Sequence, residues 1–145
     1  MLIERPAIAT LIPHAGDMCL IESVSSWDDT HIACHSHTHL DPANPLRRAG
    51  RLACVHGIEY AAQAAALHGA LLAQRAGLSL ATGRLAAVRD IDFQAARLDE
   101  IEAPLDIGAE RLIATGDSFI YGFRVTVGGQ PLLSGRLSVI AGAGA

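Results

Sequence analysis

The clearest alternation of apolar and polar positions lies in two neighbouring segments, residues 19–27 and 30–39. In the second segment, small or apolar residues alternate with histidines. A period of two places successive side chains on opposite faces of a β-strand. The acidic pair Asp28-Asp29 between the segments is typical of a tight turn. Together the two segments predict a β-hairpin with one semi-apolar face and one histidine face.

Residues 51–75 predict the one long helix of the chain, and Glu59 is the only carboxylate within it. An ionised carboxylate on so apolar a helix loses hydration, so Glu59 is expected to exchange a proton near neutrality, as a general acid does. Helical spacing places it on one stripe with three other polar residues: His56, Tyr60 and Gln63. The alternative is that this stripe is the solvated face of an amphipathic helix.

Four further segments of strand character follow the helix: residues 84–93, 102–114, 118–127 and 131–141. Glycine-containing turns separate the last three of them, which is typical of an antiparallel meander. A hairpin, one long helix and then three or four strands predict an α+β fold, with the helix packed on one face of a curled antiparallel sheet. At 145 residues without a linker or repeat, the chain is expected to form one domain over residues 1–145.

Cysteine usage and the first residues indicate the compartment. Cys19, Cys34 and Cys54 are odd in number and lack a C-x-x-C spacing, which argues against disulfides and a structural zinc site. Glu4 and Pro6 interrupt the apolar stretch that a signal peptide needs, and no apolar run is long enough to cross a membrane. We therefore expect a cytoplasmic protein that does not associate with membranes.

The charge pattern bears on partners. The net charge is −4, and all eleven basic residues are arginine. With aromatic residues at only 4% and no arginine-rich face, nucleic acid is not an expected partner. Arg47, Arg48 and Arg51 cluster in and just after a proline-rich loop, where they can receive a phosphate or an acidic protein, or simply be solvated.

A metal site is not expected. The series His35, His37 and His39 would lie on one face of the second strand. Cys34 would lie on the opposite face of that strand, so no carboxylate or cysteine of the strand joins the histidines to complete a typical ligand set.

Two motifs resemble the small 3-hydroxyacyl-acyl-carrier-protein dehydratases. Residues 11–24, LIPHAGDMCLIESV, resemble the opening motif of that family, and residues 58–63, IEYAAQ, resemble its helix start with the catalytic carboxylate. The pairing is most similar to the dehydratases of aryl-polyene biosynthetic clusters. The resemblance implies the hotdog fold, in which a sheet wraps a long helix and two such units form a homodimer or a heterodimer. It also implies that Glu59 is the catalytic carboxylate.

The chain departs from the family pattern at the catalytic histidine. That histidine precedes the carboxylate by fourteen residues in the family, and here the position is Pro45. The imidazole of an active enzyme would therefore come from His14, His39 or His56. We favour His14, because it follows a proline in a loop before the first strand, where rigid backbone can aim a side chain at a cleft.

The resemblance implies a dehydration that needs no cofactor of its own. His14 would remove the Cα proton, Glu59 would protonate the departing hydroxyl, and Gln63 would support them. Free backbone amides at the helix start, around Cys54, Val55 and His56, would face the thioester oxygen. The acyl group would arrive on the phosphopantetheine arm of an acyl carrier protein, whose acidic surface would meet the three arginines. The alternatives are a hotdog thioesterase, in which the same carboxylate activates water, and a non-catalytic subunit of a heterodimeric dehydratase.

Overall fold

A computed structural model describes residues 3–12, 18–78 and 82–142. These residues form one seven-stranded sheet and one long helix, which confirms the predicted α+β architecture. The helices are α1 (Arg5–Leu11) and α2 (Gly57–Arg75), and single 3₁₀ turns span Thr38–Leu40 and Cys54–His56. The strands are β1 (Ile3–Glu4), β2 (Ser23–Trp27), β3 (His31–Ser36), β4 (Thr82–Phe93), β5 (Leu105–Thr115), β6 (Ser118–Val127) and β7 (Gln130–Gly142). Their order in the sheet is β1-β2-β3-β5-β6-β7-β4, and every neighbouring pair is antiparallel.

The predicted hairpin is present, but both of its strands are shorter than expected. β2 begins at Ser23. The Glu22 amide still donates to the His35 carbonyl of β3, but the Leu20 amide donates to Gln63 of α2 instead. β3 ends at Ser36, and the chain then enters a 3₁₀ turn. The alternation therefore stops, and the expected position of His39 on the histidine face is wrong. His39 is completely buried, and its Nε2 lies 2.8 Å from the carbonyl oxygen of Ile101.

The long helix is confirmed, although its predicted start at residue 51 is wrong. Residues 51–53 are extended, because Leu52 donates its amide to Asp99 Oδ1 and accepts the amide of Leu98. A partner almost fifty residues away in the chain thus replaces the helical hydrogen bonds expected there. The helix α1 was not predicted from the sequence. Its proline lies in the first turn, where proline is tolerated in a helix.

Small residues let α2 lie close to the sheet. Ala61, Ala64 and Ala65 are buried on it. At Gly57, an added Cβ would lie 2.6 Å from a methyl carbon of Leu133, closer than packed side chains tolerate. A substitution at Gly57 would therefore require the buried Leu133 side chain on β7 to shift.

β4 forms a long free edge of the sheet. Among the described residues it pairs with β7 alone, whereas the other edge is the two-residue β1. Three apolar side chains of β4 stay 38–45% exposed, although each pairs with a buried residue of β7 on the helix side of the sheet. These pairs are Leu85–Val139, Val88–Leu137 and Phe93–Leu133. The apolar face of the sheet thus extends onto β4 beyond the area that α2 covers.

The described residues contain no helix with both the length and the apolar character needed to cross a bilayer.

A buried polar network fixes the middle of α2 to the sheet. The His68 Nε2–H donates to the carbonyl of Asp28 at 2.8 Å, so Nδ1 accepts the hydroxyl hydrogen of Tyr121, also at 2.8 Å. The Tyr121 oxygen in turn accepts the Arg111 Nε–H at 3.1 Å. Burial lowers the pKa of His68, which keeps the imidazole neutral in this network.

Replacing Tyr121 with phenylalanine removes one hydroxyl and leaves the buried His68 Nδ1 without a donor. We expect Tyr121→Phe to lower the free energy of unfolding by about 1–3 kcal/mol, measured by urea denaturation. His35→Asn, at a side chain that is 41% exposed on the outer face of the sheet, should change it by less than about 0.5 kcal/mol. Equal effects of the two substitutions would contradict a stabilising role for the network.

Candidate active site

Glu59 lies in the first turn of α2 and is half-buried. Among the described residues, its carboxylate has no hydrogen-bond or ion-pair partner. Val55, four residues earlier, is an apolar residue that is 49% exposed. The predicted polar stripe therefore divides: Glu59 and His56 are reached by solvent, whereas Tyr60 and Gln63 are buried.

Gln63 attaches the chain before β2 to the helix. Its Oε1 accepts the amide of Leu20 at 2.8 Å, and its Nε2 donates to the carbonyl of Met18 at 2.7 Å. Because Gln63 lies one turn after Glu59, these bonds hold residues 18–20 beside the carboxylate's helix. Gln63 is 1% exposed, so both halves of its amide need such partners.

His14 lies outside the described residues, within the segment 13–17. Its pairing with Glu59 therefore stays a prediction. The described chain on either side of that segment is anchored: Ile12 is buried in the core, and Met18 is bonded to Gln63.

Tyr60 joins the helix to the loop after β3 through residues that the sequence analysis did not single out. Its hydroxyl lies 2.8 Å from Thr38 Oγ1 and accepts the Asn44 Nδ2–H at 3.1 Å. Thr38 and Ser36 both place their hydroxyls against the carbonyl of Leu20. Burial raises the pKa of Tyr60, so this hydroxyl stays protonated.

His39 is a buried neutral imidazole. Burial lowers its pKa, and the carbonyls of Ile101 and Ala103 offset this only in part. Because Nε2–H donates to the Ile101 carbonyl, Nδ1 carries a lone pair, and it has no hydrogen-bond partner among the described residues. His56, the other alternative base, is half-buried in the 3₁₀ turn before α2.

The three amides predicted to face a thioester oxygen differ in availability. The Cys54 amide donates to the carbonyl of Ala96 at 2.9 Å, and the His56 amide donates to the carbonyl of Ala53 at 3.1 Å. For Val55, the described residues supply no backbone acceptor. Of the three amides, that of Val55 is therefore the one able to donate to a substrate oxygen. It lies at the start of the helix, where the helix dipole favours negative charge.

Arg47 differs in its side-chain contacts from Arg48 and Arg51. The guanidinium of Arg47 donates to three backbone carbonyls of its own loop, so it organises that loop. Arg48 and Arg51 exchange both backbone hydrogen bonds across a tight turn with Ala49 at φ 51° and Gly50 at φ 73°. Both side chains are exposed and have no partner among the described residues. The turn thus displays two free guanidinium groups side by side.

His35 of β3 and His37, the residue after that strand, each pair with a carboxylate rather than with each other. His35 Nδ1 lies 2.7 Å from Asp106, and His37 Nδ1 lies 3.3 Å from Glu22. Within the described parts of the chain, no group of three histidine, cysteine, aspartate or glutamate side chains is arranged to hold a metal ion.

One family profile and several solved structures are similar to this chain. The profile of the ApeP-like family, described as ApeP dehydratase, matches residues 6–143. No curated protein sequence matches. Among solved structures, the dehydratase heterocomplex ApeI:P from Xenorhabdus doucetiae has a chain with a TM-score of 0.85 and 22% identity, covering 93% of this chain and 90% of that one.

Two thioesterases share the fold at lower similarity. Thioesterase superfamily member 2 of zebra fish has a TM-score of 0.64 and 16% identity, covering 93% of each chain. A hypothetical thioesterase from Streptococcus pneumoniae, solved with coenzyme A, has a TM-score of 0.60 and 13% identity, covering 82% of this chain and 84% of that one. Together with the strand order, these similarities confirm the hotdog fold.

Proposed function

Because this chain belongs to the ApeP-like dehydratase family, we propose that it removes water from 3-hydroxyacyl thioesters carried on acyl carrier protein during polyene-type fatty acyl biosynthesis. The observation that carries the proposal is Glu59, a half-buried carboxylate without a partner among the described residues, in the first turn of the long helix. A carboxylate that no neighbour occupies is free to meet a substrate hydroxyl.

In this reaction a base removes the proton from the substrate Cα, and the electron pair moves onto the thioester carbonyl as an enolate. The enolate then expels the β-hydroxyl, to which Glu59 gives its proton, so that water leaves and the Cα–Cβ double bond forms. The Val55 amide is suited to stabilise the enolate oxygen, since it lies at the positive end of α2 and is not bonded to another described residue.

We assign the base to His14 and a positioning role to Gln63. The two hydrogen bonds of Gln63 support this, because they fix the chain that follows the histidine's segment against the turn of α2 next to Glu59. His39 is the alternative with a free ring nitrogen, and His56 is the alternative on the helix itself.

We infer that the site is completed by a second hotdog subunit that pairs with β4. The exposed apolar row on the helix side of β4 supports this, because a long uncovered edge strand is a template for another strand. The similar ApeI:P structure is a heterocomplex of dehydratase subunits. A related but different subunit is therefore our first choice of partner, with a second copy of this chain as the alternative.

The acyl carrier protein would dock on the turn that carries Arg48 and Arg51. Their free guanidinium groups suit the carboxylates of an acidic surface. The same turn leads directly into Val55 and Glu59, so a pantetheine arm entering there would follow the chain to the carboxylate. Arg47 is not part of this surface, because loop carbonyls occupy its guanidinium.

A specific observation favours a second candidate, a non-catalytic subunit that supports an active partner. The histidine fourteen residues before the carboxylate is absent, and within the described residues no imidazole is hydrogen-bonded to Glu59. In that case α2 and β4 would stabilise the partner, while the chemistry would lie in the partner's site.

The reaction is tested by incubating the protein, alone and with its hotdog partner, with a 3-hydroxyacyl carrier protein. The product is then identified by mass spectrometry. We expect the enoyl product, and we expect His14→Ala and Glu59→Gln each to slow its formation by on the order of 10²-fold or more. Since both residues act in one step, the double variant should lose far less than the product of the single losses. His39→Ala and His56→Ala are the matched controls and should retain most activity.

Three results would contradict this assignment. Free acid as the product would identify a thioesterase. Unchanged turnover of the complex in both His14→Ala and Glu59→Gln would leave this chain a supporting subunit. Loss of turnover in His39→Ala or His56→Ala, with His14→Ala active, would transfer the role of base to that histidine.

Carrier-protein docking is tested by charge reversal on the turn. Arg48→Glu combined with Arg51→Glu should raise KM for the carrier-bound substrate about tenfold, because the acidic carrier is then repelled. KM for a small free thioester should stay unchanged, as it should for both substrates in Arg124→Glu, a reversal on the outer face of the sheet. Equal effects on the two substrates would remove the docking role.

A further inference from the structure

The outer face of the sheet, turned away from α2, carries a groove of about 570 Å³ that the proposed reaction does not use. Its floor is formed by residues with little or no side chain, among them Ala33 and Gly108, which pair with each other across β3 and β5. A Cβ placed on Gly108 would meet no atom within 4 Å, so the floor is open to a ligand. The volume is typical of small-molecule sites.

Arg124 and Arg136 line one side of this groove, and the position of Arg136 beside other arginines is electrostatically unfavourable. Arg136 on β7 lies directly opposite Arg89 on β4, and Arg124 on β6 is diagonal to Arg136. Like charges directly opposite each other in a sheet destabilise it. All three side chains are exposed, and none has a hydrogen-bond or ion-pair partner among the described residues. Two arginines without an ion-pair partner among the described residues thus line the groove, and a third, Arg89, lies opposite one of them, in a chain of net charge −4.

The nearby carboxylates do not neutralise these arginines. Glu110, on the opposite wall, is 3.3 Å from His31 Nε2. Asp90 also lines the groove, but it forms no ion pair within the described residues. The groove therefore has two arginines and one carboxylate, Asp90, that is unpaired among the described residues on one side, and the His31–Glu110 pair on the opposite wall.

We propose that this groove binds a phosphorylated small molecule, with Arg124 and Arg136 holding the phosphates. Guanidinium groups match phosphate oxygens with paired hydrogen bonds, and a compact anion reaches a glycine floor that an acidic protein surface would not reach. Pairing of β4 with another strand extends the sheet in its own plane, so this face stays open in a dimer. The site is independent of the chemistry proposed at Glu59.

Inorganic pyrophosphate is the probe, added to the purified full chain with its partner, and binding is followed by calorimetry and thermal unfolding. Arg124→Gln and Arg136→Gln should each weaken binding by about tenfold or more, since each loses a charge-assisted hydrogen bond. Asp90→Asn should tighten binding. Arg84→Gln, an exposed arginine of β4 outside the groove, is the matched control and should bind as the wild type does.

A second readout separates a binding site from a structural role. Without pyrophosphate, Arg136→Gln should raise Tm by about 1–4 °C, because it relieves the repulsion with Arg89. With pyrophosphate, the wild type should gain Tm and this variant should gain clearly less. Tighter binding of adenosine diphosphate than of pyrophosphate would support a nucleotide as the source of the phosphates, and equal binding would support a free phosphate compound.

The proposal is overturned if pyrophosphate neither binds the wild type nor raises its Tm, or if the double variant of Arg124 and Arg136 binds it unchanged. It is also overturned if these variants lose only the binding of an acidic carrier protein. None of these results depends on dehydratase activity.

Discussion

Buried polar side chains on α2 must be satisfied, and this requirement organises the segments around the helix. Gln63 bonds the chain before β2, Tyr60 bonds the loop after β3, and His68 bonds the hairpin turn and the sheet. Each of these groups would be costly to bury without its partner. An otherwise apolar helix therefore holds three separate segments in fixed positions, while Glu59, the one carboxylate of the helix, is left without a partner among the described residues.

The same helix covers only part of the sheet, and an apolar row on β4 therefore stays exposed. The apolar row of Leu85, Val88 and Phe93 continues the covered face of β7 into solvent. Free edges with exposed apolar residues favour pairing with another strand. Glu59 and Val55 are also partly exposed at the start of α2. A half-open site and an unpaired edge in one unit together favour a catalytic centre shared between two subunits.

Local sequence patterns predicted the elements whose neighbours in space are also neighbours in sequence. The alternation in β3 placed Ile32 and Cys34 inside, and the segment 118–127 matches β6 residue for residue. The start of α2 could not be predicted in this way, because the bond from Leu52 to Asp99 spans 47 residues. The burial of His39 could not be predicted either. The alternation of side chains between two faces holds only within the strand, and β3 ends at Ser36.

Of the candidate site, chemistry could be predicted but geometry could not. Glu59 stood out as a lone carboxylate, and Gln63 as its polar neighbour, yet nothing in the local pattern indicated that Gln63 bonds Met18 and Leu20. Likewise, three adjacent arginines look equivalent in sequence. Only the folded loop distinguishes Arg47, which is used internally, from the two that are free.

The most direct test of a site shared through β4 is hydrogen exchange of its backbone amides in the catalytically active particle. Along a free edge, the amides that point away from β7 exchange rapidly, whereas a paired strand protects both rows. If the site is shared through β4, both rows within Thr82–Phe93 exchange slowly, and Val88→Asp makes the outward row exchange fast while abolishing turnover. Rapid exchange of the outward row in a fully active particle would contradict a shared site.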